Sequence, residues 1–142
     1  MTLLNPSMHK RILLQLLKEI YTNTQVSPFL GFKGGTAVYL FYQLDRFSTD
    51  LDFDLLDMDK REIVFTILKG ILEKHGVLKD ARIKRYSLFY LLSYQEGTHN
   101  IKVEINCRDF GSSYEIKEYL GIAMRVMVRD DIFAHKLVAM YE

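Results

Sequence analysis

The chain has 142 residues, room for about one domain, and its 49% hydrophobic and 26% charged residues exclude a disordered or collagen-like chain. Nineteen Lys and Arg against eighteen Asp and Glu leave a net charge of +1, so any nucleic-acid contact has to come from a local patch; Arg82, Lys84 and Arg85 form such a cluster, for which a solvated strand face is the plainer account. The single cysteine, Cys107, excludes an intramolecular disulfide or a Cys-cluster zinc site and fits a reducing cytoplasm, and neither an 18-residue apolar run nor a signal-peptide pattern is present, so no membrane partner is expected.

Ser7 is placed to cap a helix over about 8–22, because Leu13, Leu16, Leu17 and Ile20 recur at helical spacing. A loop over 23–28 leads to a short apolar strand, Phe29 to Lys33, which ends at Gly34-Gly35. Thr36 to Leu44 reads as a mostly buried helix. Asp50 to Leu56 alternates strictly, with Asp50, Asp52 and Asp54 on one face and Leu51, Phe53 and Leu55 on the other, the pattern of a strand with one buried face. Ile63, Val64, Ile67, Leu68, Ile71 and Leu72 mark the clearest helix, with Gly76 as its stop. Residues 81–95 read as strand, and 86–94 with 101–107 form a hairpin. Residues 112–127 divide into a short helix and a short strand, and Asp130 or Asp131 caps a last helix. The sum is an α+β (mixed α/β) domain, a small mixed sheet flanked by helices.

Chemistry concentrates in Gly34-Gly35-Thr36, fourteen intervening residues, and Asp50-Leu51-Asp52. Strand residues i and i+2 share a face ~6.6 Å apart, and two carboxylates so placed can converge on divalent ions, which two-metal phosphoryl-transfer sites hold ~3.5–4 Å apart. Asp54 lies farther along the face and reads as a solvated strand end. A Gly-Gly turn opening a helix lets backbone N–H groups approach a phosphate, and Thr36 can cap the helix or bond that phosphate. Taken singly, Asp-x-Asp also describes a surface strand and Gly-Gly a tight turn; it is their succession that points to one connected site. Gly34-Gly35-Thr36 lacks the lysine of a P-loop. The histidines (His9, His75, His99, His135) show no metal spacing, and Cys107 reads as a small buried hydrophobe.

Leu30-Gly31-Phe32-Lys33-Gly34-Gly35-Thr36-Ala37 followed by Arg46-Phe47-Ser48-Thr49-Asp50-Leu51-Asp52-Phe53 resembles the AbiEii/AbiGii toxin family of the DNA polymerase β-like nucleotidyltransferase superfamily. The resemblance implies a magnesium-dependent transfer of a nucleotide from a nucleoside triphosphate to an acceptor hydroxyl, with RNA or tRNA favoured as acceptor and an antitoxin protein as partner. It assigns Asp50 and Asp52 to two Mg²⁺ ions. Glu104, in Ile101-Lys102-Val103-Glu104-Ile105, matches the third carboxylate, and Lys136, in His135-Lys136-Leu137-Val138-Ala139, the nucleotide-contacting lysine. Lys33, Gly34, Gly35, Thr36, Arg46 and Ser48 form the expected phosphate-binding set. Members of this family continue into a helical region, whereas this sequence stops at Glu142, so residues 1–142 are expected to be a single domain lacking that region. The alternative is a non-catalytic nucleotide- or protein-binding domain of the same fold.

Overall fold

A computed structural model describes residues 6–42, 49–94, 99–108 and 111–134. Helix α1 (Pro6–Thr22) carries Leu13, Leu16, Leu17 and Ile20 on one stripe, all buried. It opens with a proline, whose missing N–H costs nothing at a first turn, so Ser7 lies inside the helix instead of capping it. Helix α3 (Arg61–Glu73) buries Val64, Leu68, Ile71 and Leu72 but leaves Ile63 exposed, so the apolar stripe is narrower than the sequence suggests.

Between these helices the chain lays down β1 (Leu30–Lys33), α2 (Gly34–Phe41) and β2 (Leu51–Leu55). After α3 come β3 (Val77–Ile83), β4 (Ser87–Tyr94), β5 (His99–Asn106), β6 (Tyr114–Tyr119) and β7 (Ile122–Met127). They form one seven-stranded mixed sheet in the order β3-β4-β5-β2-β1-β7-β6, parallel at β2–β5 and β1–β7 and antiparallel elsewhere. The expected mixed α/β class is therefore the observed one.

Strand alternation divides the sheet into an apolar and a polar face. Leu51, Phe53, Leu88, Tyr90, Leu92, Val103 and Ile105 are buried. Helix α3 packs on their face, where the Tyr90 ring stacks on Phe65 at 5.2 Å and the Tyr90 hydroxyl donates to the Phe65 carbonyl at 2.9 Å. Helix α1 joins it there through Tyr21 against Phe53. The opposite face carries Asp52, Glu104 and Phe89. No helix among the described residues is long and apolar enough to cross a membrane.

Four further expectations change. The stretch read as one strand from 81 is the hairpin β3–β4, which begins at Val77. Gly76 does not close α3 in a left-handed turn; it allows close approach, since a Cβ there would strike the Ser93 carbonyl. Residues 112–127 hold no helix but the hairpin β6–β7, joined by Leu120 (φ 49°) and Gly121 (φ 80°). Two positive φ angles make a type I′ turn, which Asn-Gly usually signals and Leu-Gly conceals. The final helical segment starts at residue 129, so Asp130 and Asp131 lie within its first turn.

Candidate active site

Parity and register carry the predicted carboxylates to one place. Asp52 on β2 pairs with Glu104 on β5 and, on its other side, with Lys33 on β1. Cross-strand partners share a face at ~4.8 Å spacing, so Lys33, Asp52 and Glu104 form a row on the polar face. Asp50 stands just before β2, near enough for its charge to act on Asp52. Burial pushes the Asp52 carboxyl up to about 6, and the neighbouring Asp50 charge adds to this, followed by Glu104; Lys102 and Lys33 oppose it. Negative charge is thus concentrated at Asp52 and only partly compensated. The donors are all carboxylate oxygens, the class a hard divalent cation takes. Among the described residues, no group of three or more His, Cys, Asp or Glu side chains is placed to hold a metal ion, so a cation beside Asp52 would take most of its ligands from substrate phosphates.

Asp54 is not a solvated strand end. It is 4% exposed, its Oδ1 lies 2.7 Å from Lys33 Nζ, and its Oδ2 accepts from the Tyr114 hydroxyl. Tyr114 comes from β6, across the sheet, and lies over Gly31, where a Cβ would collide with its ring. Lys33 is thereby held at the site's edge by a buried ion pair.

The turn from β1 into α2 places its special backbone at Gly34, with φ +82°, whereas Gly35 is not among the left-handed residues. Backbone strain on substitution therefore falls at Gly34 and not at Gly35. A Cβ at Gly34 would stand 2.5 Å from Asp52 Oδ2 and 2.9 Å from Asp52 Cβ, so the glycine lets the phosphate-type turn lie against the carboxylate. Gly34→Ala should cost about 1–2 kcal/mol in left-handed backbone energy alone and displace Asp52. Thermal melting should show a drop of about 3–8 °C, with a smaller change for Gly35→Ala; equal melting of the two variants would refute the assignment. Thr36 is buried and its hydroxyl donates to the Asp50 carbonyl, which ties the start of α2 to the strand that carries the acids. Lys33, Gly34, Gly35, Val38 and Asp52, with Met127 and Ile132, line a cavity of about 180 Å³.

Sequence reasoning missed His9. It is fully buried, and its Nε2 lies 3.0 Å from the Thr49 carbonyl while Nδ1 meets the Tyr94 hydroxyl. A carbonyl can only accept, so Nε2 carries the proton and Nδ1 accepts from Tyr94. Burial lowers the His9 pKa and favours this neutral ring. The contact anchors α1 to the residue preceding Asp50. Its only sequence signal is a polar residue four before Leu13, on the apolar side of α1. Arg46, Ser48 and Lys136 lie outside the described residues.

The profile of the nucleotidyl transferase AbiEii toxin family, a type IV toxin–antitoxin system, matches residues 15–142. No curated protein matches the chain. Among solved structures, a candidate nucleotidyltransferase of Helicobacter pylori is similar at 27% identity and TM-score 0.64 over 95% of this chain, and the JHP933 protein of Helicobacter pylori at 25% and 0.61 over 96%. The match spans 59% and 58% of those two proteins' lengths. A candidate nucleotidyltransferase of Thermotoga maritima shares the fold at 15% identity and TM-score 0.62, over 98% of this chain and 88% of that one.

Proposed function

This chain belongs to the AbiEii nucleotidyl transferase toxin family, and from that premise we propose that it transfers a nucleotide from a nucleoside triphosphate to an acceptor hydroxyl, with RNA, and tRNA foremost, as the acceptor. The observation that carries the reading is the Lys33–Asp52–Glu104 row set against the left-handed Gly34 at the mouth of α2. In the reaction, the acceptor oxygen forms a bond to the α-phosphorus as the bond from that phosphorus to the oxygen bridging the β-phosphate breaks, and pyrophosphate leaves. The hydroxyl proton passes to the Glu104 carboxylate. The backbone donors of Gly34 and Gly35 and the Lys33 ammonium orient the phosphates beside the cavity. Asp50, Asp52 and Glu104 would hold Mg²⁺, two ions in this reading, which when bound neutralises triphosphate charge. Arg46 and Ser48 complete the phosphate-binding set, and Lys136 acts with the catalytic residues by neutralising charge on the triphosphate. Residues 1–142 act as one domain in this reading. A cognate antitoxin is the proposed protein partner.

The test incubates the protein with total RNA and each radiolabelled nucleoside triphosphate in turn, with and without Mg²⁺, beside calorimetry of Mg²⁺ and nucleotide binding. Magnesium-dependent label on RNA that disappears with Asp50→Ala is the expected result. Nucleotide binding without label from any triphosphate would instead mark a non-catalytic binding domain or a protein acceptor. Equal binding heats for the wild type and Asp52→Asn would dismiss the site.

A further inference from the structure

The row that holds the carboxylates does not end at Glu104. Glu104 pairs with Phe89 on β4, and Phe89 with Arg82 on β3. One line across the polar face therefore runs Lys33, Asp52, Glu104, Phe89, Arg82. Its far end is a corner where the β3–β4 turn, closed by the Lys84 N–H on the Ser87 carbonyl, meets the end of β5. Lys84 Nζ lies 4.3 Å from the centre of the Phe89 ring, and the Arg108 and Arg85 guanidinium carbons lie 3.9 Å and 5.0 Å from that of Tyr86. Tyr86 is 43% exposed and is fixed in place by its carbonyl, which accepts from the Cys107 N–H. Arg82 is paired with Asp80, but among the described residues Lys84, Arg85 and Arg108 have no carboxylate within ion-pair distance. In a chain of net charge +1 this is a local excess of cations interleaved with aromatic rings.

We infer that this corner binds single-stranded RNA and leads its end along the row to Glu104 and Asp52. The inference rests on the nucleotidyl-transfer reading of that site. Uncompensated Lys and Arg attract phosphates, and accessible rings stack bases whatever their sequence. A guanidinium resting on a ring can yield that face to a base and turn to the adjoining phosphate. From β3 to β2 is three strand spacings, ~14 Å, a span of a few nucleotides. Arg85 and Tyr86 also line a cleft with Arg61, Asp59 and Glu62, where both signs meet, so the excess of cations lies on the Lys84 and Arg108 side of Tyr86.

Fluorescence anisotropy of a short labelled single-stranded RNA, without nucleotide or metal, tests the surface separately from the chemistry. Lys84→Ala with Arg85→Ala should raise Kd about tenfold or more and flatten the slope of log K against log salt by about 1.4, roughly 0.7 for each phosphate that is no longer neutralised. Tyr86→Leu should raise Kd at least about fivefold, whereas Tyr86→Phe should restore it, as stacking on the ring requires. Nucleotide binding should be the same in all of these variants. If RNA binds this way and no label is transferred, the transfer reading fails and the surface stands. If label transfer proceeds with unchanged RNA affinity and salt slope in the double variant, the surface fails and the transfer reading stands. Equal binding of duplex RNA with no effect of Tyr86→Leu, or equal binding of polyglutamate, would overturn the single-strand assignment, the latter in favour of an acidic protein.

Discussion

Asp52→Asn should lower nucleotidyl transfer at least about a hundredfold, the scale of losing one preorganised electrostatic group in a catalytic site, and should at the same time raise the melting temperature at pH 8. The second half follows from the carboxyl's position. Burial and the Asp50 and Glu104 charges raise its pKa to about 6 from the ordinary 3.8. A carboxyl with a raised folded-state pKa is neutral in both states at low pH and costs nothing there. Its ionisation then opposes folding progressively as pH rises from 3.8 to about 6. The full shift corresponds to about 3 kcal/mol. With partial exposure and local relaxation, a gain of about 1–2 kcal/mol, or about 3–8 °C, is the expected outcome. Melting curves of both proteins across pH should therefore converge near pH 4 and separate above pH 6. A constant difference across that range would refute the electrostatic origin. Retained transfer activity would remove Asp52 from the chemistry.

Asp54→Ala should be the most destabilising single change near the site. It removes the carboxylate that lies 2.7 Å from the Lys33 ammonium and accepts from the Tyr114 hydroxyl, at a position that is itself 4% exposed. Removing one partner of a buried pair costs about 3–5 kcal/mol. Lys33 retains some access to water and can extend toward it, so a loss of about 3 kcal/mol, or roughly 10 °C, is expected. Asp54→Asn keeps an acceptor for Tyr114 and should lose about half as much. Thermal denaturation of the two variants decides this; a melting point for Asp54→Ala within a degree or so of the wild type would show that the pair contributes nothing.

The candidate site was legible where its information is local. A period of two places Asp52 on the polar face of β2, with Asp50 just before that strand, and Glu104 between apolar neighbours on β5, because Leu51, Phe53, Val103 and Ile105 must all point into the same core. The helices α1 and α3 were legible from their stripes for the same reason. The hairpin β6–β7 was not, since its turn uses Leu120 where asparagine is the usual signal, and its outer strand alternates charges suited to a solvated edge.

The candidate row is written in local sequence: two carboxylates on strands and a third just before one, a glycine turn before a helix, and a mixed sheet to carry them. Which charges meet is a matter of tertiary structure. Pairing β2 in parallel with β5 sets Asp52 against Glu104 across more than a third of the chain, and nothing in either segment specifies that register. The role of Asp54 was likewise invisible, because its burial depends on Tyr114 reaching across from β6 over Gly31, sixty residues away from the aspartate in sequence. Alternation reports only which way a side chain points. Whether it ends in water or in an ion pair is set by the neighbouring strands, which come from distant parts of the chain and are brought together by burial of the apolar face beneath them.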